Sequence, residues 1–351
     1  MSSAAIPKTM KAIQVEEVGG PEKVVLNTIP VPTPKGDEVL IKVDWSGVNF
    51  IDTYFRSGLY PKPMPFTLGQ DAVGTLVSLP ASSDIKHGFS LGQRVLTTAG
   101  NAFAEYQAVP YGKIAVLPDD IPAQDGVGLA TQAFTAAALV KESYEVKKGD
   151  WVLVRAAAGG IAKYLGAHVI GTTSTEEKAQ LAKENGADHV VLTTNSSEDN
   201  VKEVSQLISV SQAVVKTKLS QILRLTEGKG VHVVYDGVGK DTWEEDFLVV
   251  RPKATIVTFG NASGAVPPFA PLKLSAKSLK VTRPTLGPFI AEPEDFARYA
   301  SFVFDLYKNG GLKVKTHKVY DFTAEQVAQS QIDIASRGTT GKLLIHVSGE
   351  T

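Results

Sequence analysis

Trp151-Val152-Leu153-Val154-Arg155-Ala156-Ala157-Ala158-Gly159-Gly160 is the stretch on which the fold turns. An apolar run without polar alternation suits a strand buried on both faces. The small residues after it let the chain turn into a helix whose first N–H groups and dipole can receive a diphosphate. Taken alone, the stretch is equally a plain strand-to-helix turn. Downstream, further apolar runs recur at His168–Ile170, His189–Leu192, Val231–Tyr235, Ala254–Phe259 and Leu279–Thr282, spaced to suit intervening helices. Strands alternating with helices predict a parallel sheet of the Rossmann type.

Upstream the period differs. Ala12–Val15, Val24–Ile29, Glu38–Val43, Ala72–Leu79, Arg94–Thr97 and Phe103–Val109 are short runs separated by Gly and Pro turn signals, which predicts a compact β-rich domain. Gly126–Glu142 carries helical spacing. Beyond Pro284, helical patterns at Glu294–Tyr307 and Ala324–Ser336 precede a last strand, Lys342–Val347, expected to return to the first domain. The expected boundaries are 1–127 for the first part of the β-rich domain, 128–285 for the inserted α/β domain and 286–351 for the return.

A chain of 351 residues exceeds one ordinary core, in keeping with two domains. The formal net charge of −1 gives no reason to expect nucleic acid or an anionic membrane as a partner. No run approaches the roughly 20 apolar residues that span a bilayer. Met1–Lys11 lacks the pattern of a targeting signal. With no cysteine, thiolate metal sites, thiol nucleophiles and disulfides are impossible, and a cytoplasmic protein is the expectation. The six histidines are scattered without ligand spacing, so no metal site is expected.

The second strand of the α/β domain ends in Gly171-Thr172-Thr173-Ser174-Thr175-Glu176-Glu177-Lys178. A site for NAD usually presents Asp or Glu there to the ribose 2′-OH. Hydroxyls and an ammonium suit a 2′-phosphate instead, so NADPH is the expected cofactor; the plainer alternative makes Ser174 a helix cap and Lys178 a solvated charge. Gly47-Val48-Asn49-Phe50-Ile51-Asp52-Thr53-Tyr54 groups amide, carboxylate and phenol in what reads as a loop, able to orient a carbonyl or quinone, although spacing alone favours an Asp/Asn turn with core aromatics.

That last segment, continued through Phe55-Arg56-Ser57-Gly58-Leu59-Tyr60, resembles the substrate loop of the zinc-free quinone oxidoreductase, or zeta-crystallin-like, family of medium-chain dehydrogenases/reductases. Ala156–Gly160, Tyr235-Asp236-Gly237-Val238-Gly239-Lys240-Asp241-Thr242-Trp243, Phe259-Gly260-Asn261-Ala262-Ser263-Gly264, Arg283-Pro284 and Ser336-Arg337 carry the likeness along nearly the whole chain. The resemblance implies a GroES-like catalytic domain with a Rossmann domain inserted, a homodimer, and NADPH in the cleft between domains. It implies Asn49 and Tyr54 as catalytic groups beside nicotinamide and substrate, with Thr135 near the cofactor. Gly159, Gly160 and Ile161 would lie under the pyrophosphate, Ser174 and Lys178 at the 2′-phosphate, and Phe259, Gly260 and Arg337 along the cofactor. A Tyr common near the adenine is Thr193 here. Zinc-dependent relatives carry Cys and Gly-His-Glu, where this chain has Gly69-Gln70-Asp71. The implied activity is metal-free reduction of quinones by NADPH. Reduction of α,β-unsaturated carbonyls, with a proton from Tyr54 or water, and a cofactor-impaired, non-catalytic structural or RNA-binding role are the alternatives.

Two departures stand out. Relatives follow the double glycine with Val-Gly and about two further helical turns, whereas Gly160 here runs straight into Ile161-Ala162-Lys163-Tyr164-Leu165-Gly166. About seven residues are absent, roughly 10 Å of helix, so a distorted phosphate loop or loosened crossover is expected. Conversely, Ser205–Ile222 reads as an added segment, since its removal joins Asn200–Val204 to Leu223–Gly228 in one helix. Val204-Ser205 can be encoded by GTAAGT and Gln221 by CAG, common intron borders, which suggests a retained intron, with the seven-residue loss a second splicing or gene-model error; the alternative is a genuine helix extension.

Overall fold

The computed structural model describes residues 5–80, 88–155, 159–193, 218–336 and 338–348. The chain divides into two compact units, one of Met1–Phe134, Gly287–Asp305 and Val314–Thr351, the other of Thr135–Leu286 and Leu306–Lys313.

The first unit is β-rich. Strands β1 (Thr9–Val15), β2 (Val24–Pro30) and β4 (Phe66–Thr67) form a small sheet in the order β2-β1-β4. The larger sheet runs β15-β16-β3-β5-β6-β8, with β7 also paired to β3. Its members are β3 (Glu38–Val48), β5 (Asp71–Ser78), β6 (Arg94–Thr97), β7 (Tyr106–Pro110), β8 (Ile114–Val116), β15 (Thr316–Asp321) and β16 (Lys342–His346). The chain's last strand thus closes on its third, β16 pairing antiparallel with β3 from Leu343 opposite Val48 to His346 opposite Trp45. Ile13, Val15, Phe103, Val327 and Ile345 bury their side chains together between these layers. The expected loop after Val48 is instead a helix, Phe50–Ser57. Asp52, three residues past Asn49, accepts the Asn49 N–H at 2.8 Å, which ties down a donor the first turn would leave unpaired.

In the second unit β9 (Trp151–Val154), β10 (His168–Thr173), β11 (His189–Leu192), β12 (Val231–Asp236), β13 (Val250–Thr258) and β14 (Lys280–Thr282) form one sheet, ordered β11-β10-β9-β12-β13-β14. Every pairing is parallel. The order reverses between β9 and β12, which is the Rossmann arrangement. Leu153, Ile170, Val234 and Ile256 form its core with Leu219, Ile222 and Trp243.

The shortened crossover closes all the same. Its helix is only Gly159–Tyr164, about 9 Å at 1.5 Å per residue. The strand it must return along is only Trp151–Val154, about 13 Å. Ile161 and Ala162 are fully buried, and β10 keeps register with β9 from His168 opposite Trp151 to Gly171 opposite Val154. The described part of the crossover is therefore packed rather than loosened. The phosphate-loop residues 156–158 lie outside the described residues.

Of the added segment, residues 205–217 lie outside the described residues. Its last five residues open the helix Lys218–Leu225. Leu219 and Ile222 are fully buried in the sheet's core, and Lys218 Nζ meets buried Glu245 at 2.7 Å. Eighteen residues make about five turns at 3.6 residues per turn, so removing the segment keeps helical phase. Val201 would then take the place of Leu219, Val204 that of Ile222, and Asn200 that of Lys218. A variant lacking Ser205–Ile222 is expected to fold, with near-UV circular dichroism unchanged and a melting temperature within several degrees of the parent. The two lost apolar groups cost roughly 0.5–1.5 kcal/mol each. Aggregation or a molten spectrum would show that the segment is needed by the sheet it precedes.

Candidate functional site

Three chain segments bring a polar cluster together in the first unit. Asn49 follows the end of β3, Asp71 begins β5 opposite Gly47, and Lys342 begins β16. Gln132, in the helix Thr131–Ala138, completes it. Lys342 Nζ donates to Asp71 Oδ2 at 3.1 Å, Asn49 Oδ1 at 3.0 Å and Gln132 Oε1 at 2.7 Å. Its side chain is 6% exposed and that of Asp71 wholly buried, so this is an ion pair out of water. Asp71 Oδ2 also accepts the Thr131 N–H at 3.2 Å.

Asn49, expected as a catalytic donor, is 2% exposed. Its Nδ2 donates to the Gly47 carbonyl and to Asp71 Oδ1, each at 3.0 Å, while Oδ1 accepts from Gln132 Nε2 at 2.5 Å and from Lys342. A carboxamide offers two donors and two acceptor positions, and here all are used. In this structure its amide is held by the protein. Tyr54 is half-buried, its ring 6.0 Å from that of Phe50 and 5.2 Å from that of Tyr60.

Asp52 lies beneath this cluster. Burial pushes its carboxyl up to about 7, against the lowering influence of the Asn49 N–H that it accepts. A folded value above the unfolded one means that the native state keeps a proton the unfolded chain releases. Stability contributed by that proton is present at low pH and lost as pH rises through about 7. Asp52→Asn, which keeps an acceptor for Asn49, is expected to flatten the stability profile between about pH 4 and 7. Urea midpoints at several pH values test this, and an unchanged slope would remove Asp52 as its source.

In the second unit the expected nucleotide residues fall into two groups. Ser174 follows β10, and Lys178 lies in the first turn of the helix Glu176–Glu184. That helix is capped by Thr175, whose Oγ1 accepts the Lys178 N–H at 3.3 Å, so the exposed Ser174 hydroxyl is not spent on capping. Phe259 and Gly260 follow β13, whose end lies beside that of β12, with Asp236 opposite Thr258. The Asp236 carboxylate holds the next turn, accepting the Val238 N–H at 2.8 Å and the Thr242 hydroxyl at 2.9 Å. A Cβ at Gly260 would strike the Gly237 carbonyl, and one at Gly239, which has φ +92°, the Gly264 carbonyl. The two glycine turns therefore pack backbone on backbone. Arg283 secures the second by donating to the Thr258 hydroxyl at 3.2 Å and the Gly260 carbonyl at 3.1 Å. All these groups stand at the carboxyl edge of the sheet.

Gly159, Gly160 and Ile161 do not. Gly159 lies against Val169, near the start of β10, and Gly160 against the carbonyls of Asn185 and Gly311. Asn185 and Gly186 precede β11, and Lys163 of the same short helix pairs with Asp188 there. The helix start has thus slipped to the amino edge of the sheet, and Ile161 is fully buried. The cause is length: the helix is tied to β10 at its far end and is too short to reach the opposite edge. Thr135 is half-buried in its helix, and Arg337 lies outside the described residues.

Sequence reading missed Asp71, Gln132 and Lys342 as members of the cluster. The Gly69-Gln70-Asp71 run, noted only as a departure, was the one available signal. It also missed buried Arg155, whose Nε donates to Asp246 Oδ1 at 2.8 Å at the end of β9. Among the described residues no group of three or more His, Cys, Asp or Glu is arranged to hold a metal ion, and no helix is long and apolar enough to cross a membrane.

Residues 35–138 match the alcohol dehydrogenase GroES-like domain family, and residues 156–305 the zinc-binding dehydrogenase family. A quinone oxidoreductase of Pseudomonas aeruginosa is 35% identical over 95% of this chain and 99% of its own. A 2-haloacrylate reductase of a Burkholderia species is 31% identical over 95% of this chain and 98% of its own. The crystal structure of Escherichia coli quinone oxidoreductase complexed with NADPH superposes with a TM-score of 0.84 at 32% identity, covering 96% of this chain and all of that one. With a Rossmann sheet inserted in a GroES-like unit and this likeness along its length, the chain belongs to the quinone oxidoreductase family of medium-chain dehydrogenases/reductases.

Proposed function

We propose that this chain is an NADPH-dependent oxidoreductase that reduces quinones. One observation carries the cofactor reading: β10 ends without an acidic residue, and its exposed Ser174 is left uncapped one helical turn from Lys178. An acidic side chain there would repel a 2′-phosphate; a hydroxyl and an ammonium hydrogen-bond to it. Ser174 and Lys178 would hold that phosphate, and Phe259 and Gly260 the body of the nucleotide. The helix starting at Gly159 fits the diphosphate poorly, because its N-terminus is at the wrong edge of the sheet.

When bound, NADPH supplies a hydride. A quinone is electron-poor enough to accept it without a Lewis acid, so orientation and hydrogen bonding by protein groups suffice. The kinship to a 2-haloacrylate reductase supports a second reading, reduction of an activated carbon–carbon double bond, in which Tyr54 or water returns a proton. The displaced helix supports a third, a homologue that binds cofactor too weakly to turn over. The resemblance further implies a cytoplasmic homodimer, for which light scattering gives the mass.

Fluorescence titration with NADPH and turnover with 1,4-naphthoquinone or an enone separate the three. No saturable binding at millimolar cofactor would leave only the last. Lys178→Glu is expected to weaken NADPH roughly ten- to a hundred-fold, the worth of a charge-assisted bond, and NADH far less. Equal losses would refute its partner. Restoring about seven helical residues between Gly160 and Ile161 should tighten NADPH roughly ten-fold by returning a helix N-terminus to the diphosphate. An unchanged dissociation constant would show that the displaced helix costs nothing.

A further inference from the structure

The polar cluster of the first unit leaves a single proton over. Lys342 has three N–H bonds, given to Asn49, Asp71 and Gln132. Asn49 has no donor or acceptor position left. Gln132 gives one Nε2 proton to Asn49 and receives Lys342 at Oε1. Its second Nε2 proton meets no partner among the described residues, and the residue is exposed.

The two charges also decide which way each amide faces. Turning Asn49 over would set its oxygen against the Gly47 carbonyl and the Asp71 carboxylate, and its NH2 against Lys342. Turning Gln132 over would set its NH2 against the same ammonium. The first opposes like to like inside a buried ion pair, where mismatches are expensive; the second does so against the same ammonium at the cluster's exposed side. Gln132 is therefore held with its nitrogen and spare proton in one orientation, a preorganised donor of the kind that stabilises developing negative charge on oxygen.

We infer that Gln132 donates a hydrogen bond to the oxygen of the bound acceptor, with Lys342 and Asp71 as positioning residues that aim it. This rests on the quinone reductase reading. In that reaction a hydride from NADPH would form an O–H bond at one quinone oxygen, the other oxygen would take the charge as a phenolate, and a proton from solvent would complete the hydroquinone, leaving NADP+. Gln132 transfers no proton; it stabilises that oxygen while the charge is on it.

Gln132→Glu tests the donor, because it keeps an acceptor for Lys342 and removes both Nε2 protons, while Lys342 and Asp71 go on orienting Asn49. With 1,4-naphthoquinone, kcat and kcat/KM should fall together by roughly ten- to a thousand-fold, the range for losing one such donor. The NADPH dissociation constant should stay within about twofold, as expected for a group that acts on the acceptor. Lys342→Met should lower kcat similarly, and Lys342→Arg should restore part of it; a merely structural lysine would lower the melting temperature and leave kcat of the folded fraction intact. If Lys342→Met does not fold, Gln132→Glu decides alone, the side chain being exposed. With NADP+ present and selective 15N labelling, the Gln132 amide signal should shift on adding quinone and the Asn49 signal should not. Wild-type kcat in Gln132→Glu, or the opposite pattern of shifts, would overturn the inference while the function stands. A parent chain that binds NADPH but reduces no quinone would overturn both.

Discussion

A parallel pair of strands needs the chain to travel back the full length of the first before the second can begin. Between β9 and β10 the described helix has only six residues, Gly159–Tyr164, too few to span that length. Much else in the second unit follows from that shortage. The helix is fixed at its far end, where the Ala167 N–H bonds the Ala162 carbonyl and β10 begins, so any loss of length moves its start. The first N–H groups of the helix are drawn toward the amino edge, away from the strand ends that carry Ser174 and Gly260. A fold can survive this, because its core depends on strand register and on Ile161 and Ala162, which remain buried. On the proposed reading, the diphosphate site is the part that feels this most, since such a site depends on where a helix begins.

The opposite alteration, an addition, is absorbed for a related geometric reason. A segment of whole helical turns leaves the apolar stripe facing the same way. Lys218, Leu219 and Ile222 therefore stand where an uninterrupted helix would put Asn200, Val201 and Val204. Lys218 contributes something the shorter helix would lack, a cation against Glu245 in the interior. Arg155 already faces both Glu245, at 3.3 Å, and Asp246, at 2.8 Å. Burial drives the Asp246 carboxyl well above the ordinary range even so, with the Arg155 guanidinium opposing. Without Lys218, Glu245 keeps Arg155 as its cation; it is the loss of Arg155, which faces both carboxylates, that would leave charge without water.

Much of this architecture was legible in the sequence where apolar runs were long or sharply bounded. Arg94–Thr97, Trp151–Val154 and His189–Leu192 are strands with the limits their apolar residues suggest. Thr316–Asp321 escaped notice because only Tyr320 in it is buried, leaving no run to see. The helix Phe50–Ser57 was mistaken for a loop, although Asn49 and Asp52 stand at the spacing of a capping pair, a local signal outweighed by the density of polar residues. The placement of Ser174 after β10 and of Lys178 in the next helix was readable because both are local to one strand end. Lys342 was not: its partner Asn49 lies 293 residues away, and no spacing rule spans such a distance. The displaced helix was anticipated as a shortage of length, but its direction of slip is a property of the packed sheet.

Every identified member of the Lys342 cluster belongs to the first unit. A buried ion pair is tolerable only when each remaining lone pair and proton is satisfied, and the amides of Asn49 and Gln132 do this for Lys342 and Asp71. But for one Gln132 proton the cluster is closed on itself, joining the end of β3 and the starts of β5 and β16 to one helix. None of its bonds passes through β9, β10 or the short crossover between them. The placement of the short crossover helix and the ordering of this polar cluster are therefore separable in this chain, since the two rest on different segments held by different forces. A weakened diphosphate contact lowers how often cofactor is bound; it gives Asn49 and Gln132 no reason to turn, because the charges that orient them stay where they are.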